Sequence, residues 1–135
     1  MMWSFDRFGD QIALLDEGGQ RLTYSQLAWE GAELYRAAGG RCLAFCLCQN
    51  TIGSILGYAG FVEGGVVPAL LNAGLDRDML RGLYETYHPA FFWAPEGFRW
   101  ERKDGRVEAW KGGKAERRKG GGVDSDVDGI VIFRY

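Results

Sequence analysis

The sequence predicts an α/β fold, a β-hairpin followed by the order α-β-α-β-α-β around a largely parallel sheet, with a second hairpin near residues 97–110. Three observations predict it. The runs RCLAFCLC (41–48), VVPALL (66–71) and AFFWA (90–94) are apolar without alternation, as strands covered on both faces are. Segments with apolar residues at helical spacing separate those runs, and the connections are short, which calls for a parallel sheet with helical crossovers. Two glycine-containing turns, Gly18-Gly19 between short apolar segments and KDG between alternating ones, mark hairpins.

The first hairpin joins IALLD (12–16) to RLTYS (21–25) through Gly18-Gly19, residues that tolerate the positive φ angles of a tight turn. Ser25 is then expected as the cap of a first helix carrying Leu27, Ala28, Gly31, Leu34, Tyr35 and Ala38, stopped at Gly39-Gly40. A second helix is expected from about Thr51 to Glu63, with Ile52, Ile55, Leu56, Ala59 and Val62 as its apolar stripe and Gly64-Gly65 as its stop. Pro68 has no amide to donate, so the VVPALL strand belongs at a sheet edge or ends there. The third helix, about Asp76 to Tyr87, is expected to carry Met79, Leu80, Leu83 and Tyr84 inward and to end at His88-Pro89.

Beyond Pro95 the pattern changes. FRWERKDGRVEAW alternates around KDG, and KGGKAERRKGGG reads as a solvated linker. The expected divisions are an α/β segment over 1–95, a hairpin extension over 96–111, a glycine-rich basic linker over 112–123 and a terminal strand over 124–135.

Composition bounds the function. The chain has 135 residues, 47% of them hydrophobic and 25% charged, with a net charge of −2, so no global attraction for nucleic acid or anionic lipid exists. No apolar run approaches the ~20 residues of a membrane span, and the first ten residues lack the pattern of a secretory signal, so a cytoplasmic location is expected.

The candidate motifs weaken one by one. Asp124, Asp126, Asp128 and Gly129 match the first half of a calcium loop, but Tyr135 stands where the closing bidentate glutamate belongs, and the aspartates read as a solvated loop before a strand. Cys42, Cys46 and Cys48 share one face of a strand, with no fourth ligand brought near by sequence; His88, the single histidine, sits at a helix end, so the thiols read as core packing. Lys111, Lys114, Arg117, Arg118 and Lys119 lack interleaved aromatics, so they predict a linker and no nucleic-acid partner. Gly120-Gly121-Gly122 is followed by neither the lysine nor the hydroxyl of a nucleotide loop, and His88 has no triad partner at a recognisable spacing.

The order of segments over residues 8–95, with a weaker return at 124–133, resembles the N-terminal part of the AMP-forming adenylating enzymes: acyl-CoA synthetases, luciferases and peptide-synthetase adenylation domains. Leu22-Thr23-Tyr24-Ser25-Gln26-Leu27 is similar to the family's L-T-Y-x-E-L, and Gln49-Asn50 falls where P-N-S is frequent. Glu63-Gly64-Gly65-Val66-Val67-Pro68 parallels K-A-G-x-x-x-P-L, and 76–87 stands where the next helix precedes a strand like 90–94. Gln26 replaces an acidic residue, Gly65 adds to a glycine-rich junction, and 96–123 has no counterpart.

In this family an acidic segment leads into a strand of the type A-L-I-x-F and then a Ser/Thr/Gly-rich loop ending in lysine. The resemblance therefore implies a fragment, with DSDVDGIVIF reaching that strand and Arg134-Tyr135 standing before the phosphate loop. The implied parent is an acid-thiol ligase using ATP and Mg²⁺ to make an acyl-adenylate for transfer to CoA or a carrier protein. For these residues themselves the expectation is no catalytic, cofactor-binding or metal site and no activity alone. Their expected partner is the remainder of such an enzyme. The alternative is a self-associating interaction module, motivated by Trp3, Phe5, Phe98, Trp100 and Trp110 lying outside the α/β repeat.

Overall fold

In the computed structural model, residues 3–98, 100–101, 107–108 and 131–135 are described. The aspartates of 124–128 with Gly129, the basic run 111–119, the linker 112–123 and Trp110 lie outside them. A 3-10 turn, Phe5–Phe8, precedes β1 (Ile12–Leu15), β2 (Arg21–Thr23) and α1 (Tyr24–Ala38). The chain continues through β3 (Leu43–Cys48), α2 (Ile52–Glu63), β4 (Val67–Asn72), α3 (Arg77–Tyr87) and β5 (Phe91–Ala94). The short strands β6 (Trp100–Glu101) and β7 (Val107–Glu108) pair antiparallel, and β8 is Val131–Arg134.

The hairpin β1-β2 is antiparallel, and β4-β3-β5-β8 is a four-stranded sheet parallel throughout. The α/β class and both hairpins are as the sequence predicts. Val67 N–H donates to Cys42 O and Ala73 N–H to Cys48 O, so odd residues of β4 face β3. The amide missing at Pro68 thus falls on the open side of an edge strand, where its absence costs no ladder bond.

Side-chain alternation builds a core on each sheet face. Phe45, Leu47, Phe92 and Ile132 point to the α3 face and meet Leu80, Leu83 and Tyr84. Ala44, Cys46, Phe91, Trp93 and Phe133 point the other way, where Phe61 of α2 and Leu34 and Ala38 of α1 cover them. Leu22, Leu27, Leu56 and Ala59 join the hairpin to α1 and α2.

Helix α2 lies unusually close to its neighbours. A Cβ on Gly57 would stand 2.0 Å from Trp93 Nε1, and one on Gly60 would stand 2.8 Å from Gly31 Cα. The expected stripe of α2 is corrected accordingly. Leu56 and Ala59 are buried as expected, but Ile55 is 49% exposed, because the inward face is made by Ser54, Gly57, Gly60 and Phe61.

Other boundaries shift for local reasons. The α1 cap is Thr23, not Ser25: Thr23 Oγ1 accepts the Gln26 N–H at 3.1 Å and Gln26 Oε1 accepts the Thr23 N–H at 2.8 Å. This is a capping box, in which a glutamine amide oxygen serves as well as a carboxylate. On α3, Asp76 is the cap, accepting from Met79 N–H at 3.2 Å, and Met79 is 60% exposed instead of inward. Leu80, Leu83 and Tyr84 already define the inward arc, and Met79 lies about 100° off Leu80 on the helix. His88 closes α3 in the left-handed region at φ 47°.

Candidate functional site

The strand order reverses direction at β3 and β5. The chain leaving β3 turns onto one face as α2, whereas the chain leaving β5 takes Phe98 and Trp100 into the α3-face core. Diverging connections from adjacent parallel strands leave a crevice beyond their carboxyl ends, the place where open α/β sheets bind ligands. A cleft of about 790 Å³ opens there, lined among others by Gln49, Asn50, Thr51, Arg77, Glu96 and Tyr135. That volume lies within the range of small-molecule sites.

The α2 end of the cleft is built from hydroxyls. Thr51 caps the helix through Ser54 N–H at 3.4 Å, and Ser54 Oγ accepts the Gln49 N–H at 2.9 Å. The Tyr135 phenol donates to Leu47 O at 2.6 Å and accepts from Ser54 Oγ at 2.8 Å. Burial raises its pKa, opposed by its hydrogen bond to Ser54, so it stays a neutral phenol across physiological pH.

Cations brace the facing wall. Arg134, buried in the sheet, donates from Nε at 3.3 Å and Nη2 at 3.1 Å to Phe98 O. Arg77 donates to Leu75 O at 3.2 Å and its guanidinium lies 4.5 Å from the Phe98 ring centre. The wall is thereby fixed, with Arg77 the guanidinium lining the cleft.

The sequence-level candidates fare unevenly. Cys42, Cys46 and Cys48 do share one face, in or against the α1/α2-side core, and all three are free thiols. Burial pushes Cys46 up to about 12, with Cys48 adding to the shift, and raises Cys42 and Cys48. They are packing residues with little thiolate to offer a metal or an electrophile. His88 is a helix cap with its ring 6.3 Å from Tyr84. Phe98 and Trp100, expected to need external cover, are buried within the protomer, at 4% and 1% exposure. Trp3 and Phe5 stack at 5.3 Å beside an apolar groove of about 270 Å³. Among the described residues no group of three His, Cys, Asp or Glu is placed to hold a metal ion, and no helix is long and apolar enough to cross a membrane.

Sequence reasoning does not reach Ser54 and Tyr135 as site residues. Their link spans 81 residues, and the only available signal is topological, namely that β3 and a strand near 131–134 adjoin the same parallel neighbour.

The fold defines the class, an open parallel α/β sheet with a cleft at its switch point. Neither a protein-family model nor a curated protein matches the sequence. Among solved structures, the chain is similar to the O-succinylbenzoate coenzyme A synthetase of Bacillus subtilis in complex with AMP, at 20% identity and a TM-score of 0.61, over 74% of this chain and 27% of that one. It is also similar to the N-terminal subdomain of NpsA from Klebsiella oxytoca in complex with anthranilyl-AMSN, at 14% identity and a TM-score of 0.57, over 67% of this chain and 25% of that one. A benzoate CoA ligase from Burkholderia xenovorans LB400 matches at 18% identity and a TM-score of 0.61, over 67% of this chain and 19% of that one. The likeness is one of fold, and the chain spans about a quarter or less of the length of these proteins.

Proposed function

We propose that these residues are the N-terminal part of an AMP-forming acid-thiol ligase, whose reaction joins a carboxylic acid to AMP and passes the acyl group to a thiol such as CoA or a carrier protein. The observation that carries the reading is the β4-β3-β5-β8 parallel order with its cleft, in a fold similar to synthetases solved with AMP or with ATP and magnesium. The capped strand-to-helix junction at Thr23 and the turn at Gln49-Asn50 support the reading, since they carry two of the segments on which the sequence resemblance rests. A cytoplasmic setting, where Cys42, Cys46 and Cys48 remain free, agrees with it.

ATP and Mg²⁺ are the parent's requirements. To an anion the described cleft residues offer the α2 N-terminus and Arg77, set against the carboxylates of Asp16, Glu30 and Glu96, and no magnesium ligand set is assigned to them. A helix terminus contributes on the order of 1 kcal/mol, against about 8 kcal/mol for micromolar binding, so the described cleft residues are a weak ATP site, and the proposal assigns no acyl-adenylate formation to these residues alone. Adenylation needs preorganised charge opposite the phosphates, which the proposal assigns to the remainder of the ligase, the expected partner.

The second reading, a self-associating module without chemistry, draws on the apolar groove at Trp3, Phe5, Ile55 and Tyr58. The coding sequence downstream of the Tyr135 codon separates the two. A Ser/Thr/Gly-rich loop ending in lysine, in any frame, is expected; its absence from all frames, together with a concentration-dependent dimer by light scattering, overturns the ligase reading in favour of the module.

A further inference from the structure

The Tyr135 side chain makes contacts that the sheet does not require of it. Its backbone N–H already continues the β8–β5 ladder by donating to Ala94 O at 3.0 Å. The ring turns onto the α2 face and fills the notch left by Gly53, where a Cβ would lie 2.3 Å from its Cδ2, and it sits 5.1 Å from the Trp93 ring. Trp93 Nε1–H in turn donates to Gly53 O at 2.9 Å. Two aromatic side chains, one from β5 and one from the end of β8, therefore grip the first turn of α2.

The phenol reaches further. The β3–β5 pairing runs from Ala44 with Phe91 to Cys46 with Trp93, so Leu47 lies just past the last paired residues, where the cleft opens. Its carbonyl accepts the phenol hydrogen at 2.6 Å, and the phenol oxygen takes the Ser54 hydroxyl at 2.8 Å, whose oxygen holds Gln49 N–H at 2.9 Å. One phenol ties the exit of β8 to the end of β3, to the turn at Gln49 and to the first turn of α2.

We infer that Tyr135 is the positioning residue of the cleft: by bridging Leu47 O and Ser54 Oγ it holds the 49–51 turn and the α2 N-terminus against β3, so that this wall is preformed rather than assembled around a ligand. The use of that wall toward an anionic substrate group rests on the proposed function. The clamp itself does not, since its bonds join Tyr135, Leu47 and Ser54 of this chain with no ligand involved.

Amide hydrogen exchange, followed residue by residue on the 135-residue chain, tests it. In Tyr135→Phe, which keeps the ring, the amides of Gln49 and Ser54 are expected to exchange about tenfold faster, while those of Phe92 and Ile132 in the core keep their rates. Ser54→Ala is expected to free Gln49 similarly. The double variant is expected to go no further than the larger single effect, because the two groups act as a unit. Unchanged exchange at Gln49 in Tyr135→Phe, an equal acceleration throughout the core, or additive effects in the double variant would each overturn the inference. If Tyr135→Phe does not fold, Ser54→Ala is read at Tyr135 itself, whose ring proton signals are expected to shift, and an unchanged Tyr135 ring would overturn the inference. Failure of the ligase reading would appear in the coding sequence and in exchange of pyrophosphate, and would leave these amide rates where they are.

Discussion

On the α3 face of the sheet, Phe45, Leu47, Phe92 and Ile132 meet Leu80, Leu83 and Tyr84 side chain to side chain. On the opposite face Ala44 and Cys46 lie beneath a helix whose inward positions include Gly57 and Gly60. The first interface is filled with volume, and the second is closed by approach. A face filled with volume is broken by removing atoms, whereas a face closed by approach is broken by adding them. The same close approach brings the N-terminus of α2 to the cleft and its Ser54 within reach of Tyr135.

The largest expected effect falls on the volume-filled face. Phe92 is fully buried, stacked 5.7 Å from Phe45 and edge-on 5.0 Å from Trp100, so Phe92→Ala should cost about 3–5 kcal/mol in denaturant unfolding. A loss under about 1 kcal/mol would mean that this face is loosely packed.

Alkaline pH attacks the other face. In the unfolded chain the Cys46 thiol ionises near its ordinary value of 9.0, whereas burial, then Cys48, holds it at about 12 in the fold. Below pH 9 both states carry the proton and stability is untouched. From pH 9 to 12 the unfolded state loses its proton first, so stability falls, by on the order of 4 kcal/mol at pH 12. Urea titrations across this range should show a flatter decline in Cys46→Ala by that amount, and identical slopes would contradict the burial of Cys46.

Glycine substitutions sharpen the contrast between the helices. Gly57→Ala on α2 places a methyl 2.0 Å from the Trp93 indole nitrogen and should cost about 1–3 kcal/mol despite the better helix propensity of alanine. Gly82→Ala on α3 meets nothing within 4 Å and should stabilise by about 0.5–1 kcal/mol. Thermal melts moving in the same direction for both variants would erase the distinction between the two faces.

This contrast also explains what is legible in the sequence. Helix α3 and the first hairpin declare themselves because Leu80, Leu83 and Tyr84 recur at helical spacing among polar and charged residues and because Gly18-Gly19 marks a tight turn, at which Gly19 takes φ 83°. Hydrophobic spacing misplaces Ile55 on the inward face of α2, since it selects large residues and cannot register that glycines draw a helix inward. Ser25 is the wrong cap for α1 for a different reason: T-x-x-Q at Thr23 spells a capping box two residues earlier. The parallel sheet with helical crossovers is legible because connection lengths and apolar runs constrain topology strongly, but the order β4-β3-β5-β8 rests on pairings between distant segments and leaves the cleft unannounced. Its phenol is not legible, since the bond from Tyr135 to Leu47 spans 88 residues and no local pattern encodes it.

Carboxylate-dependent exchange of pyrophosphate into ATP tests the ligase reading most directly, run on the 135 residues alone and on the same residues continued through the coding sequence after Tyr135, with fatty, aryl and amino acids. The expected result is no exchange by the 135 residues and exchange with at least one acid by the longer polypeptide. Exchange by the 135 residues alone would contradict the assignment of the chemistry to the remainder of the ligase, and a folded longer polypeptide inactive with every acid would contradict the ligase reading itself.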